Sequence, residues 1–376
     1  MTMRCPFLSL SAVNAPYMKE IEQAVLRVVQ SGRYVGGPEV DNFERLLSES
    51  VGAPYAVGVS NGLDALRLVL RAWVAMGRLR RGDEVIVAAN TYVASVLAIV
   101  DAGLVPVLAE PDPKTLNLDT SRLEEYVGRR TRAVMPVHLY GRAVWDAPLK
   151  DFVSRHGLLV LEDNAQAIGA EASEEGIYGG FSTGALGHAG AFSFYPTKNI
   201  GALGDAGAVV THDPELASAV RTLANYGSDR RYHNIYKGYN CRLDPVQAAV
   251  LSVKLPHLQA ENASHRNIAH IYDSLIDNPL VVKPEFIDGN RHVWHQYVVM
   301  TPGRDSLRDR LAANGVGTDI HYAVPPHLQP ALKDVAHEPL PITERIASQV
   351  LSLPVTRTTS DDDARFIASI INDFRS

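Results

Sequence analysis

The chain has 376 residues, 46% of them hydrophobic, which is enough to bury a large core. Its 36 basic and 42 acidic residues leave a formal net charge of −6 with no dense basic run, which argues against a nucleic-acid surface. Two distant cysteines, Cys5 and Cys241, give neither a disulfide framework nor a zinc spacing, and the start MTMRCPFLSLSAVNAPYMKE has too short an apolar stretch for a signal peptide or membrane span, so a cytoplasmic protein without a metal is expected.

The first segment with chemical content is YAVGVSNGLDALRLVL, a strand at 55–59 that passes into an apolar-rich helix from near Asn61. Ser60 and Asn61 are N-cap types, and Gly62 lets free backbone N–H groups approach an anion. The turn therefore suits a phosphate, as well as an ordinary strand-to-helix connection. The helix continues through Trp73 as packing. Beyond it, DEVIVAA, VPVLAE, RAVMPVHL, LLVLED, AGAFSFY and GAVVTH read as strands, alternating with helical patterns such as 95–102 and 120–127. That alternation predicts an α/β fold with a mainly parallel central sheet covered by helices.

Two strand ends carry candidate chemistry. In HGLLVLEDNAQAIGA the apolar run 158–161 ends in the acids Glu162 and Asp163, and ligands collect beyond the carboxyl ends of strands in open α/β sheets. An acid there can cap a helix or hold a metal or ribose. It can also keep the ring nitrogen of pyridoxal phosphate protonated, as that cofactor needs to act as an electron sink. Asp163 is the candidate for that role, with Gln166 one helical turn later as a hydrogen-bond partner for the ring. In GAFSFYPTKNIGALGDAGAVVT, a strand is followed by a polar turn holding one lysine, Lys198, then a glycine-rich stretch and a second strand. A nucleophilic lysine must lose its proton near neutral pH, which requires a desolvated site with rigid neighbours. This turn can supply one, the alternative being a solvated surface lysine.

From Pro245 to about residue 274 the pattern predicts a long helix, broken near Pro256. After it come the strand QYVVMT, a helix at 306–314, a proline-rich loop at 324–330 and an amphipathic helix after Ser360. A division into a large domain, 1–255, and a smaller C-terminal domain, 256–376 with the linking helix, is expected. No repeat stands out.

Phosphate turn, strand-end acid and strand-end lysine occur in this order within SNGLDAL, ANTYVASVLAIVDAG, PVHLYG, EDNAQAIGA, FSFYPTKN, GYNCRLDPVQAA and IHYAVPPHLQP. Together these motifs make the chain resemble, from Phe7 to Pro354, the sugar aminotransferases of the DegT/DnrJ/EryC1/StrS group. NGLDALRL, YKGYN and RLDPVQAAVLSVKL are most similar to members that aminate carbon 3 of dTDP-3-oxo-6-deoxyhexoses. The resemblance implies the aspartate aminotransferase fold, pyridoxal phosphate fold type I, with a smaller C-terminal α+β domain. It implies pyridoxal 5'-phosphate bound through Lys198 as a Schiff base, with Asp163 at the pyridinium, Gln166 at the ring oxygen and Tyr92 stacked on the ring. Ser193 and the backbone of Gly62 and Leu63 would hold the phosphate, and Asn240 would reach the phosphate of the neighbouring subunit in a homodimer with shared sites. Tyr195, Arg242, His321, Tyr322 and His327 map to the substrate side. L-Glutamate, released as 2-oxoglutarate, is the implied donor, and a nucleotide-linked keto sugar the acceptor.

Three places in the chain depart from the group. Ala206 stands where glycine is frequent, Arg142, Ala143 and Val144 follow HLYG in place of the usual series, and Leu63 replaces a common threonine, leaving the phosphate turn to its backbone N–H groups. Sugar 3,4-dehydratases on this scaffold have histidine at the lysine position, so Lys198 counts against that activity. A non-catalytic regulator would keep Asp163 and the turn, and amination at carbon 4 stays open. A Rossmann oxidoreductase would need GxGxxG, which VGVSNGLDAL lacks.

Overall fold

The computed structural model describes residues 3–375. Seven strands form the main sheet: β1 (Tyr55–Val59), β2 (Glu84–Ala88), β3 (Val105–Ala109), β4 (Thr131–Met135), β5 (Leu159–Asp163), β6 (Ala189–Ser193) and β7 (Gly207–Thr211). Their order is β1-β7-β6-β5-β4-β2-β3, parallel throughout except for β7, which runs antiparallel to both β1 and β6. The central strands are buried on both faces, which is why they read as unbroken apolar runs.

Alternate side chains serve alternate faces. Val57, Val59, Val85 and Val87 pack with the helices Gly62–Ala75, Val93–Asp101 and Pro214–Ala224. Ile86, Ala88, Val134 and Val160 pack with the helix Ala147–His156, while Ala56, Ala208 and Val210 meet Pro38–Val51 and Pro245–Lys254. Helices therefore cover both faces of the sheet, as the α/β reading of the sequence expects. Trp73 lies fully buried among these helices, and truncating such a side chain to alanine costs about 3–5 kcal/mol.

The long helix predicted from Pro245 is two helices, Pro245–Lys254 and Leu258–Leu275, joined by a 3-10 turn at Leu255–His257. A second core forms around the latter helix, the antiparallel pair β10 (Tyr297–Met300) and β11 (Val350–Leu353), and the helices Arg304–Ala313 and Asp361–Asn372. Ser360 opens the last helix with a reciprocal cap to Asp363. A short, largely exposed hairpin is formed by β8 (Ser228–Arg230) and β9 (His233–Asn234).

Two expectations need correction. No helix follows β5, so Gln166 lies on a turn: Glu162 and Asn164 hold the segment after it, Glu162 by accepting from three backbone N–H groups at Gly184–Gly187 and Asn164 by donating to the Thr183 carbonyl. The segment 120–127 is a 3-10 turn, Thr120–Glu125, capped by Asp119, with Gly128 and the start of β4 leaving no room for a longer helix. The helices Met18–Ser31, Pro38–Val51 and Pro341–Gln349 and the strand β11 had not been anticipated. Among the described residues no helix is long and apolar enough to cross a membrane.

Candidate active site

β1, β5 and β6 run the same way, so their carboxyl ends share one edge of the sheet. Val59 and Ser193 both pair with Gly207 on the intervening β7, which sets the turn after β1 beside the turn after β6. A Cβ on Gly207 would fall 2.4 Å from the Asn61 backbone, so this approach requires glycine. A cleft of about 450 Å³ opens there. Gly62, Leu63, Tyr92, Asp163 and Gln166 line it from one side, Ser193, Tyr195 and Lys198 from the next turn, and His321 and Tyr322 from the C-terminal part.

At the phosphate turn, Asn61 caps the helix by accepting from Asp64 N at 2.8 Å. The Asp64 carboxylate pairs with Arg67 at 2.6 Å, so its charge does not oppose an anion at the helix N-terminus. The Gly62 and Leu63 N–H groups have no acceptor among the described residues, nor does the Ser193 hydroxyl proton. A Cβ on Gly62 would fall 2.7 Å from Ser193 Cβ, so turn and serine form one close cradle.

The acid pair at the end of β5 divides its work because adjacent strand residues face opposite ways. Glu162, fully buried, accepts from Gly184, Leu186 and Gly187 N–H and meets His138 Nε2 at 2.9 Å. Asp163 faces the cleft, where Ser95 Oγ donates to it at 2.7 Å and Ala165 N at 3.2 Å. Thr91 Oγ1 lies 2.9 Å from Ser95 Oγ, one turn along the same chain segment. Gln166 Oε1 accepts from Tyr140 N at 2.6 Å and its Nε2 donates to the Tyr322 hydroxyl at 3.0 Å. Tyr140 also donates to the His321 carbonyl at 2.6 Å, tying both parts of the cleft together.

Lys198 Nζ has no hydrogen-bond partner among the described residues, and burial pulls its pKa from 10.5 down to about 8, against the opposing pull of Asp163. Roughly a tenth of the amine is then neutral at pH 7. Burial also lowers the His321 pKa, and the Lys198 charge adds to that while Asp319 opposes it. The Tyr92 ring is half-exposed, 5.0 Å from the Tyr322 ring.

Three candidates do not line this cleft in the single chain, although the Arg242 backbone bridges Val59 at the end of β1. Asn240 is exposed beside the β8–β9 hairpin. Arg242 donates to Asn225 at 2.8 Å and lies over the Tyr226 ring. The His327 side chain is buried against Glu344 and His337. Conversely, Ser95, Tyr140 and His295 belong to the site without having been singled out. No local sequence signal marks any of them: even Thr91, which meets Ser95, precedes the helix that carries it.

Pyridoxal 5'-phosphate fits what these residues offer: unpaired N–H donors at a helix N-terminus for the phosphate, a carboxylate for the ring nitrogen, an open aromatic face, and a desolvated amine. The model of the DegT/DnrJ/EryC1/StrS aminotransferase family matches residues 17–372. A dTDP-3-amino-3,6-dideoxy-alpha-D-galactopyranose transaminase of Aneurinibacillus thermoaerophilus is 46% identical, over 98% of each chain. A dTDP-3-amino-3,4,6-trideoxy-alpha-D-glucose transaminase of Streptomyces venezuelae is 44% identical over 94% of this chain and 92% of its own. The crystal structure of S. venezuelae DesV in complex with a ketimine intermediate superposes with a TM-score of 0.92 at 42% identity, covering 99% of this chain and 98% of that one. With kinship of that depth running almost end to end, the chain belongs to the DegT/DnrJ/EryC1/StrS aminotransferase family.

Proposed function

We infer that this protein is a cytoplasmic, homodimeric aminotransferase that moves the amino group of L-glutamate to carbon 3 of a dTDP-3-oxo-6-deoxyhexose, giving the dTDP-3-amino-3,6-dideoxyhexose and 2-oxoglutarate. The observation that carries the reaction type is the Lys198 amine, unpaired and with its pKa lowered to about 8, in the same cleft as Asp163 and the phosphate turn. The sugar and the position aminated rest on the full-length kinship with two dTDP-3-amino sugar transaminases.

Pyridoxal phosphate, when bound, supplies the electron sink that makes the carbon–hydrogen bond beside nitrogen acidic. The chain does the rest. Gly62 and Leu63 N–H and the Ser193 hydroxyl hold the phosphate. Asp163, steadied by Ser95, would keep a proton on the ring nitrogen, and Tyr92 would offer its ring to the cofactor's. Lys198 Nζ would anchor the cofactor and, once free, would accept and return the proton of the carbon beside nitrogen. Gln166 and Tyr322, bonded to each other, together with Tyr195 and His321, orient the groups at the mouth of the cleft. A dimer explains why Asn240 and Arg242 lie outside the cleft of their own chain: the hairpin beside them exposes Tyr226, Tyr232 and Ile235, and the helix Met18–Ser31 exposes Leu26 and Val29.

The test is incubation with glutamate and a panel of dTDP-keto sugars, with products read by mass spectrometry. Amine from the 3-keto compounds is expected. Amine from 4-keto compounds only would overturn the regiochemistry, and a cofactor band that glutamate leaves unchanged would point to a regulator.

A further inference from the structure

One polar chain ends at His295, which lines the cleft together with Lys198, and is unused by the reading above. Asn262 Nδ2 donates to the Ile168 carbonyl at 3.0 Å, so Asn262 Oδ1 faces Asn199 and accepts from its Nδ2 at 2.7 Å. Asn199 Nδ2 also donates to the Val293 carbonyl at 3.2 Å, which leaves Asn199 Oδ1 toward His295 Nδ1 at 3.0 Å. Turning either amide over would set oxygen against a backbone carbonyl, which can only accept, so both orientations are fixed. Asn199 Oδ1 therefore accepts, His295 Nδ1 carries the proton, and His295 Nε2 is left with a bare lone pair.

Nε2 has no partner among the described residues, yet it is not sealed in: His295 lines both the cleft and a second cavity of about 550 Å³ behind it. The residues common to the two cavities are Thr197, Lys198, His295, Gln296 and His321, so lysine and imidazole share the wall where they meet. The ring is also held neutral. Burial depresses its pKa well below the usual value, and the charge of Lys198, with smaller effects from His321, His265 and His292, acts in the same direction. His321 has its own partners in Ser352 and Asp319.

We propose that His295 is a positioning residue for Lys198, its Nε2 accepting an N–H of the lysine whenever that amine is free and so aiming the proton that Lys198 carries. No net proton leaves the pair: the proton taken from carbon stays on Lys198 Nζ, hydrogen-bonded to the imidazole, until it is delivered. The proposal rests on the aminotransferase reading, but its main test does not require turnover.

In protein loaded with pyridoxamine phosphate the lysine is free, and its titration is read by competitive acetylation at a series of pH values, quantified on the Lys198 peptide. A neutral acceptor stabilises the ammonium, so H295N, whose amide nitrogen replaces Nδ1 but leaves nothing at Nε2, lowers the midpoint by about one pH unit. H295Q, whose amide reaches the Nε2 position, restores it. Where H295N folds poorly, H295L stands in with the same expected fall. In the glutamate half-reaction the variant without an acceptor slows about tenfold or more, and its deuterium isotope effect with glutamate deuterated at carbon 2 rises. If His295 merely props Asn199, H295N keeps the wild-type midpoint, and that result overturns the proposal. Failure of the wild type itself to react with glutamate, with the midpoint shift present, would instead reject the reaction and leave the pairing intact.

Discussion

The burial that lowers the Lys198 pKa also makes the site costly to fold, and the cost can be measured. For a base whose pKa is depressed on folding, the charged form is disfavoured in the native state, so stability is lost below the native pKa and regained as pH rises toward the unfolded one. The fall from 10.5 to about 8 corresponds to about 3 kcal/mol, at about 1.4 kcal/mol per pH unit. Lys198→Met keeps the aliphatic stem and removes the charge. In cofactor-free protein unfolded by urea at pH 7, the variant is expected to exceed the wild type by up to about 3 kcal/mol, the upper bound holding if the cleft does not relax around the ammonium. The gap should close between pH 8 and 10.5. Lys254, buried and likewise depressed to about 8, is present in both proteins and drops out of the difference. Equal stabilities at pH 7, or a gap that survives above pH 10.5, would refute the reasoning.

Asp163→Asn should retain cofactor, because the phosphate cradle is untouched, yet slow the glutamate half-reaction on the order of 10²–10³-fold; near-normal rates with cofactor bound would give the acid another role. Gly62→Ala places a methyl 2.7 Å from Ser193 Cβ and should weaken pyridoxal phosphate binding by about tenfold or more in an absorbance titration; unchanged affinity would show that the turn is not the phosphate site. Mixing Lys198→Ala with Asn240→Ala chains, each inactive alone, should restore activity, since one site of each mixed dimer carries neither lesion. Tagged mixed dimers that form and stay inactive would count against shared sites.

The sheet is legible in the sequence because the parts of a strand buried on both faces must be apolar in succession, as in the VIVA of EVIVA and the AVM of TRAVM, with the polar residues left at the strand starts. The helices Met18–Ser31 and Pro38–Val51 are harder to see: each buries only a narrow stripe, Ile21, Ala24 and Val28 in the first. Lys198 and Asp163 stand at strand ends, where local sequence carries the signal. Ser95 and His295 meet residues far along the chain, Asp163 and Asn199, and nothing local marks such a meeting. Helical spacing after β5 misled because Glu162 spends its carboxylate on the backbone of Gly184–Gly187 and pins the intervening chain as a loop.

The insertion of β7 between β1 and β6 also orders events during synthesis. β1 pairs with no strand of the sheet but β7, Tyr55 lying opposite Thr211, so the first strand made must wait for the seventh before it can join. Loop closure over such a span delays pairing, and the anion turn that follows β1 cannot be seated beside Ser193 until it occurs. A nascent chain lacking β7 would already hold Asp163 and Lys198 but have nowhere to place a phosphate. Vitamin capture would thus report on a finished sheet, so that a ribosome-bound chain becomes competent for its cofactor only after the seventh strand has emerged.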